Sequence, residues 1–316
     1  MINITIDKES EGMRLDRFLR KHLNKAALSF IFKLIREGKA RVNNKKVKQD
    51  CRLKTNDNLE VMISDEDYKK FTLQDKKAVS ARKTFEVIYE DDDVMVVNKP
   101  PFLASQPGTG VERNNLVNQI KAYLKDIKTK PALANRLDRG TSGIVVVGKN
   151  RKAILALYDL FKNKDIEKRY LALVKGTFQK KEGTLTSYLK RITEKFQHKM
   201  LVLRHNEEGA VTAETSYKVI QESKGYSLLE VKITTGKMHQ IRAQLASIGR
   251  PVVGDSVYGN KETNEQFRKF LRRQFLHAYK ISFKHPFTNK PINIEAKLPE
   301  DIKQVLKKLG FSYDAG

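Results

Sequence analysis

The sequence predicts an α+β protein: a mixed, largely antiparallel sheet with flanking helices, preceded by a small N-terminal α/β domain. Strand patterns alternate with amphipathic helical patterns over most of the chain, which is typical of a sheet covered by helices. In the second half, predicted strands 213–221 and 226–235 follow each other directly, as in antiparallel sheets. The chain of 316 residues is long enough for two domains.

The N-terminal region is predicted to contain two short helices, a hairpin and a further strand. Residues 13–54 contain fourteen Lys or Arg and three acidic residues. An apolar stripe from Leu15 to Leu23 predicts the first helix, Ser29 is placed to cap the second, and Asn43-Asn44 is the predicted hairpin turn. We predict that the positive charges form a basic patch that consists of Arg14, Arg17, Arg20, Lys39 and Arg41.

This arrangement resembles the S-four-type RNA-binding domain. The resemblance is carried by Arg14-Leu15-Asp16 at the first helix and by the stretch 38–43 after the second. It implies an RNA-binding domain over residues 1–64. The alternative is a generic helical cap with solvated lysines, because charge runs often form solvated faces.

Residues 65–83 mix charges of both signs without a sustained period, so we expect a linker there and a second domain over 84–316. Its elements are predicted in order as strands 85–90 and 94–97, helix 114–125, strand 144–147, a helix from 151, strands 168–175, 213–221 and 226–235, a helix near 240–248, a basic helix at 268–273, strand 275–283 and helix 299–309.

Charge and cysteine content narrow the possible classes of function. The formal net charge of +25 predicts a polyanionic partner, and we expect a nucleic acid, although a lysine-rich composition explains part of the charge. The single cysteine, Cys51, excludes an internal disulfide framework and a thiolate metal cluster. With no signal peptide and no apolar run of about 20 residues, we expect a soluble, cytoplasmic protein without a membrane span.

The stretch 135–143, Asn-Arg-Leu-Asp-Arg-Gly-Thr-Ser-Gly, is the candidate site. Asp138 is flanked by Arg136 and Arg139, and the apolar run 144–147 predicts a buried strand that anchors the loop. The two arginines are expected to keep the carboxylate charged. The same residues would also fit a structural ion pair at a turn.

A second polar string runs from Thr235 to Leu245. We predict a helix here on which Ile241, Leu245 and Ile248 face the core, while Gln240 and Arg242 are displayed elsewhere on its surface.

Other chemistries find little support in the sequence. His239, His277 and His285 have no acidic residue at ligand spacing, so we do not expect a metal site. No phosphate-binding glycine motif indicates a nucleotide cofactor. Ser142 has no histidine near it in the sequence, which favours a role in the turn over a role as nucleophile.

Taken together, the motifs resemble the RluA-type pseudouridine synthase family, and the layout is most like its RluC branch. The matching stretches are 98–100, 107–108, 136–139 with 141–143, 168–174, 235–242, 254–259, 276–278 and 285–286. The resemblance implies the pseudouridine synthase fold and isomerisation of uridine in RNA without cofactor or metal. It also implies that Asp138 is the catalytic aspartate.

The resemblance assigns roles to other residues as well. Tyr170 is expected to pack on the target base and help proton removal, Arg242 to pair with Asp138, and Arg136 to lie beside the flipped nucleotide. We expect Arg139 and Gln240 to contact RNA too. Three positions depart from the family's usual residues, namely Gln106, Asn135 and Gly140.

We therefore predict an enzyme that converts selected uridines of 23S large-subunit ribosomal RNA to pseudouridine. Asp138 would attack the ribose, attack the base or act as a base, and the sequence does not choose between these roles. We expect a monomer whose partner is RNA. The rival functions are a non-catalytic RNA-binding or ribosome-assembly protein and a base glycosylase.

Overall fold

The computed structural model describes residues 1–7, 10–72, 82–108, 111, 114–125, 131–194 and 197–313. The chain forms two compact units, Met1–Ala78 and Val79–Gly316. Among the described residues, no helix combines the length and the apolar character that crossing a membrane requires.

The described residues of the N-terminal unit form a four-stranded antiparallel sheet and three helices. Its elements are β1 Ile2–Thr5, α1 Leu15–His22, α2 Leu28–Arg36, β2 Ala40–Val42, β3 Lys45–Lys46, β4 Asn58–Val61 and α3 Asp65–Thr72. The strand order is β1-β4-β2-β3. Leu15 and Leu19 of α1 are buried together with Ile31 and Leu34 of α2, so the predicted apolar stripes form one core.

The predicted helices and hairpin of this unit are confirmed. Asn43 and Asn44 both have positive φ, 50° and 63°, as the turn between β2 and β3 requires, and Asn tolerates this conformation better than most residues. The predicted cap of α2 is wrong, because Ala27 rather than Ser29 precedes the helix.

The expected linker is wrong over residues 65–72, which form α3. Tyr68 and Phe71 of α3 pack against the core of the N-terminal unit, and the Tyr68 hydroxyl lies 2.7 Å from His22 Nε2. Helix α3 has only eight residues and most of them are polar or charged, so its amphipathic pattern is weak in the sequence. Residues 73–81 of the expected linker lie outside the described residues, and the assignment of 1–64 as an S-four-type domain stays a proposal.

The part of the second unit that the structure describes contains an eleven-stranded sheet. Its strands are β5 Glu86–Glu90, β6 Val94–Lys99, β7 Ala132–Leu133, β8 Ser142–Gly148, β9 Glu167–Lys175, β10 Glu182–Glu194, β11 Gln197–Leu203, β12 Ala210–Ser223, β13 Tyr226–Ile233, β14 Leu276–Lys284 and β15 Pro291–Glu295. The described helices are α4 Leu116–Leu124, α5 Arg151–Asn163, α6 Gln240–Ser247, α7 Lys261–Phe267 and α8 Glu300–Leu309.

The predicted mixed, largely antiparallel sheet is confirmed. The strand order is β11-β10-β12-β13-β9-β14-β8-β6-β5, with β15 beside β14 and β7 beside β8. The β14–β8 pair is parallel, and the other pairs are antiparallel. At this parallel junction Gly143 has φ of 113°, and a Cβ there would clash with the backbone of Ala278. Glycine is therefore required where the two strands approach.

Strand β8 is buried along its whole length, which explains its unbroken apolar run. Ile144 and Val146 pack in a cluster with Leu157 of α5. Val145 and Val147 point to the opposite face and join the main core, which also contains Tyr170. The stretch 135–141, here called the Asp138 loop, therefore leads into a strand that is covered on both faces.

Two predictions in this unit are wrong, and one hairpin was not predicted. The long β10–β11 hairpin was missed, because its mixed Thr, Ser and Lys residues give a weak strand pattern in a sheet that is only partly covered. The basic helix predicted at 268–273 is absent; the helix lies earlier, at α7, where the Asn260 side chain accepts a hydrogen bond from the Thr263 N–H. Ile248 is exposed rather than part of the core.

Candidate active site

The start of the Asp138 loop is held by side-chain hydrogen bonds. The Asn135 amide donates to Ile144 O and accepts from Val146 N–H, which ties the loop to β8. Ser105 Oγ donates to Leu137 O and accepts from Leu137 N–H. Asn135, one of the departures from the family pattern, therefore has a structural role in this chain.

Lys99 lies buried beneath the loop and joins it to the preceding segment. Its Nζ donates to Pro100 O at 3.0 Å, Leu103 O at 2.9 Å and Arg139 O at 3.4 Å. Burial lowers the pKa of Lys99 to about 7, with a further lowering by Arg273, while Asp138 acts in the opposite direction. The ammonium group thus holds two loops at the cost of its own desolvation.

The end of the loop is held by Arg273 and Gln274. Arg273 is paired with Asp301 and donates from Nη1 to Gly140 O. The Gln274 amide donates to Thr141 Oγ1 and occupies the space that a Cβ at position 140 would need. Glycine suits position 140 in this chain, because the Gln274 side chain occupies the space beside its Cα.

Arg242 places a fixed positive charge against Asp138. Its Nη1 donates to Asp138 Oδ2 at 2.8 Å, and its Nε and Nη2 donate to the two Asp255 oxygens at 2.7 and 2.9 Å. Arg242 and Asp255 are both buried. The Asp138 side chain is 27% exposed, so it faces the solvent-accessible side of this cluster.

The expected pairing of Asp138 with the flanking arginines is wrong. Arg139 donates from Nε to Phe102 O, and Arg136 is exposed and has no hydrogen-bond partner among the described residues. The reason is the turn of the loop, in which neighbouring side chains diverge. The carboxylate is instead held by a residue from another element, as the resemblance implied for Arg242.

The Arg242–Asp255 pair is ionised despite its burial. Burial by itself would lower the pKa of Arg242, but hydrogen bonds and charge from Asp255, and then from Asp138, raise it. Burial likewise acts to raise the pKa of Asp255, and Arg242 together with the N–H groups of Val257 and Tyr258 holds that pKa below its usual range. The charge that faces Asp138 is therefore permanent.

Asp138 opens onto a cleft with a cavity volume of about 1210 Å³. Arg136, Arg139 and Tyr170 line it near Asp138, and Lys162, Lys164 and Lys168 line it at the end of α5 and the start of β9. Burial raises the pKa of Tyr170, and the charge of Asp138 raises it further, so the phenol stays neutral. The cleft is large enough for a nucleotide and is bordered by positive charge.

Gln240 has no hydrogen-bonding group left for RNA in this structure. Its Oε1 accepts from Thr235 Oγ1 and Lys237 N–H, and its Nε2 donates to Glu214 O and Thr215 Oγ1. These four bonds use the full capacity of the amide. The predicted RNA contact at Gln240 is untested, and the geometry indicates a brace for the start of α6 instead.

Ser142 does have a histidine partner, although that partner lies far from it in the sequence. Its Oγ lies 2.8 Å from His277 Nδ1, and both residues are buried. Burial lowers the pKa of His277 to about 4. The pair is enclosed at the β8–β14 junction, where it has no access to a substrate.

The basic patch contains both free and paired charges. Arg17 and Arg20 are exposed three residues apart on α1. Arg14 pairs with Asp16 at 2.8 Å, Lys39 pairs with Glu37 at 3.0 Å, and Arg41 donates to Gly38 O. Arg17 and Arg20 are therefore the members best placed to meet phosphate.

Three residues of the site were not assigned a role from the sequence: Asp255, Tyr258 and His239. Asp255 and Tyr258 belong to the matching stretch 254–259, which was the available signal, but no local pattern connects a loop to an arginine thirteen residues earlier. His239 was considered only as a metal ligand. The part of the chain that the structure describes contains no cluster of three potential metal-binding side chains.

Comparison with known proteins identifies the family. Residues 93–247 match the family model described as RNA pseudouridylate synthase. The Ribosomal large subunit pseudouridine synthase C of Escherichia coli strain K12 is 31% identical over 313 residues, which cover 97% of this chain and 96% of that protein. The Uncharacterized RNA pseudouridine synthase YlyB of Bacillus subtilis strain 168 is 29% identical, with 98% of each chain covered.

A solved structure supports the fold. The Human RNA Pseudouridylate Synthase Domain Containing 4 has a TM-score of 0.58 and 22% sequence identity, and the match covers 71% of this chain and 93% of that one. Sequence and fold thus agree over the unit that contains Asp138 and Arg242. The chain belongs to the RluA-type family of RNA pseudouridine synthases.

Proposed function

We propose that this protein converts selected uridines of large-subunit ribosomal RNA to pseudouridine, with Asp138 as the catalytic residue. The observation that supports this most strongly is the position of Asp138: its Oδ2 is held by buried Arg242, at a cleft that Tyr170 also lines. The choice of RNA rests on the name of the Escherichia coli relative.

The reaction requires a base that is first extruded from its stack. The glycosidic bond from ribose C1′ to N1 breaks, the uracil turns while it is enclosed, and a new bond forms from C1′ to C5. Because Arg242 occupies Oδ2, Oδ1 of Asp138 is the oxygen free to react. It would act at the ribose or the base, as nucleophile or as base, and Tyr170 provides a flat face for the uracil.

Positive charge supports the binding of a structured RNA. Arg136 is exposed and lines the cleft, so that its guanidinium group would lie beside a flipped nucleotide. Arg139 lines the same cleft. Arg17 and Arg20 provide further charge on the N-terminal unit, which we propose is an S-four-type RNA-binding domain. We further propose that the protein acts in the cytoplasm as a monomer without metal or cofactor.

The proposal is tested with unmodified large-subunit ribosomal RNA that carries uridine tritiated at C5. Formation of the C1′–C5 bond displaces the hydrogen of C5, so pseudouridine synthesis releases tritium while the base stays in the RNA. Free uracil would indicate a base glycosylase. RNA binding without either product would indicate a non-catalytic ribosome-assembly role. Protein treated with a metal chelator is expected to keep full activity.

A further inference from the structure

His239 lies beside Asp138 in a constrained backbone conformation. It precedes α6 with φ of 53°, a left-handed value that is uncommon for residues other than glycine. Its Nδ1 lies 3.1 Å from the Tyr258 hydroxyl, and its Nε2 lies 4.0 Å from Asp138 Oδ2. The imidazole is thus fixed between Tyr258 on one side and the reactive carboxylate on the other.

The hydrogen bonds of Tyr258 favour the imidazole tautomer of His239 that carries its proton on Nε2. The Tyr258 hydroxyl accepts a hydrogen bond from the Met200 backbone N–H at 2.7 Å, so its own proton is available to His239 Nδ1. When Nδ1 accepts, the hydrogen of a neutral imidazole is on Nε2. The ring of Tyr258 also contacts the imidazole edge-on, with 85° between the planes, which restrains its rotation.

The imidazole is in its neutral form near pH 7. Burial lowers the pKa of His239, and the positive charge of Arg242 lowers it further, while Asp138 and Asp255 act in the opposite direction. A neutral imidazole with Nδ1 as acceptor presents one N–H, at Nε2, to the cleft. The distance of 4.0 Å to Asp138 is too long for a hydrogen bond, so this donor is uncommitted among the described residues.

The reaction creates a need for such a donor. If Asp138 attacks C1′ or removes a ribose proton, the electron pair of the C1′–N1 bond leaves with the uracil and spreads onto its carbonyl oxygens. If Asp138 adds to the base at C6, electron density again moves to a carbonyl oxygen. An N–H placed at that oxygen stabilises the charge that develops in each of the three routes.

We infer that His239 is a further catalytic residue, which donates a hydrogen bond from Nε2 to a carbonyl oxygen of the target uracil. This inference rests on the proposed function. Tyr258 acts through His239 as a positioning residue, because its hydroxyl selects the imidazole tautomer and holds the ring toward the cleft. Arg242 of α6 holds the Asp138 carboxylate at the same time. Helix α6 and the residue before it therefore position both groups that would act on the nucleotide, the Asp138 carboxylate and the His239 imidazole.

Two substitutions of nearly equal size separate a donor from a space-filling role. His239→Gln keeps an N–H near the position of Nε2, whereas His239→Met has a similar length and no donor, and both residues meet the same backbone restriction at position 239. Release of tritium from the labelled ribosomal RNA gives kcat and KM, filter binding gives the affinity for that RNA, and thermal melting controls for folding. His205→Met, at an exposed loop position, is the surface control.

We expect His239→Met to lower kcat by about 100-fold with little change in KM or RNA affinity, since one donor of this kind contributes about that factor. His239→Gln should recover most of the loss, and His205→Met should match the wild type. The inference is overturned if the Met and Gln variants have equal rates. It is also overturned if both lose RNA affinity in proportion to activity.

A double-mutant cycle tests the link to Tyr258. Tyr258→Phe should lower kcat in the wild-type background and have a much smaller effect on kcat when His239 is already Met, because the two residues act through one hydrogen bond. Additive losses would show that Tyr258 does not act through His239. An inactive wild-type protein would refute the proposed function itself, whereas an active wild type with an unimpaired His239→Met variant would refute the inference alone.

Discussion

Nη1 of Arg242 donates to Oδ2 of Asp138 across 2.8 Å, although the two residues are 104 positions apart in the chain. The sheet brings them together. Only two strands, β14 and β9, lie between β8, which follows the Asp138 loop, and β13, which precedes α6. Asp255 binds the remaining nitrogens of Arg242 and keeps the guanidinium from moving. The position of the reactive carboxylate is therefore a property of the fold rather than of the loop alone.

Asp255→Asn should destabilise the protein and lower its activity. The substitution removes the charge that neutralises buried Arg242, and loss of one partner of a buried pair costs about 3 kcal/mol of unfolding free energy. Urea denaturation measures this loss, and tritium release measures the activity. Glu265→Gln is the control, since its pair with Arg268 is exposed. Equal stabilities of Asp255→Asn and the wild type would contradict the role given to this pair.

Lys99 should make the stability of the protein depend on pH above neutrality. Its pKa is about 7 in the folded protein and 10.5 ordinarily, so the unfolded chain binds more protons between these values. The stability of the wild type relative to Lys99→Met should therefore rise as pH increases from 7 to 10.5, and be constant below 7. Urea denaturation of both proteins across this range tests it; a difference that falls with rising pH would be inconsistent with a buried ammonium.

Tyr170→Phe should separate packing from proton removal. The hydroxyl has no hydrogen bond to a described residue, and its raised pKa keeps it neutral, so the variant should fold and bind RNA normally. If the hydroxyl assists removal of the C5 proton, tritium release should slow by about 100-fold. Tyr123→Phe, at an exposed position of α4 that does not line the cleft, is the matched control. A fully active Tyr170→Phe variant would leave the ring with a stacking role only.

The basic patch should contribute to RNA affinity through its unpaired members. Replacement of Arg17 and Arg20 together by Gln should reduce the slope of log affinity against log salt by about 0.7 to 0.9 for each phosphate that the protein no longer neutralises. Arg14→Gln should have a smaller effect, since Asp16 already pairs with that guanidinium. Affinity for ribosomal RNA is measured from low to high salt. An unchanged slope in the double variant would exclude this surface from the RNA interface.

Local patterns in the sequence predicted what depends on neighbouring residues. The apolar run of β8 and the Asn43-Asn44 turn carry their own signals, and the structure confirms both. The partner of Asp138 was first assigned to adjacent Arg136 and Arg139, because sequence proximity cannot show how side chains diverge in a turn. Only the family resemblance pointed to Arg242.

Other features of the site depend on long-range packing and left no local trace. Lysine is almost never fully buried without a partner, so no pattern around Lys99 placed it beneath the loop. The Tyr258–His239 hydrogen bond joins a loop to the start of a helix. The Arg242–Asp255 pair connects the same two segments, which are brought together only by the fold. The surroundings of Gln240 were hidden for the same reason, because the groups that satisfy its amide come from β12 and the turn before α6.

The most direct test of the central claim is pseudouridine formation by Asp138→Asn on large-subunit ribosomal RNA. Asn has nearly the same shape as Asp, and Arg242 keeps Asp255 as a charged partner, so the variant should melt like the wild type and bind the RNA with similar affinity. We predict that it forms no pseudouridine and releases no tritium. Pseudouridine formation at the wild-type rate by a folded Asp138→Asn protein would contradict the assignment of Asp138 as the catalytic residue.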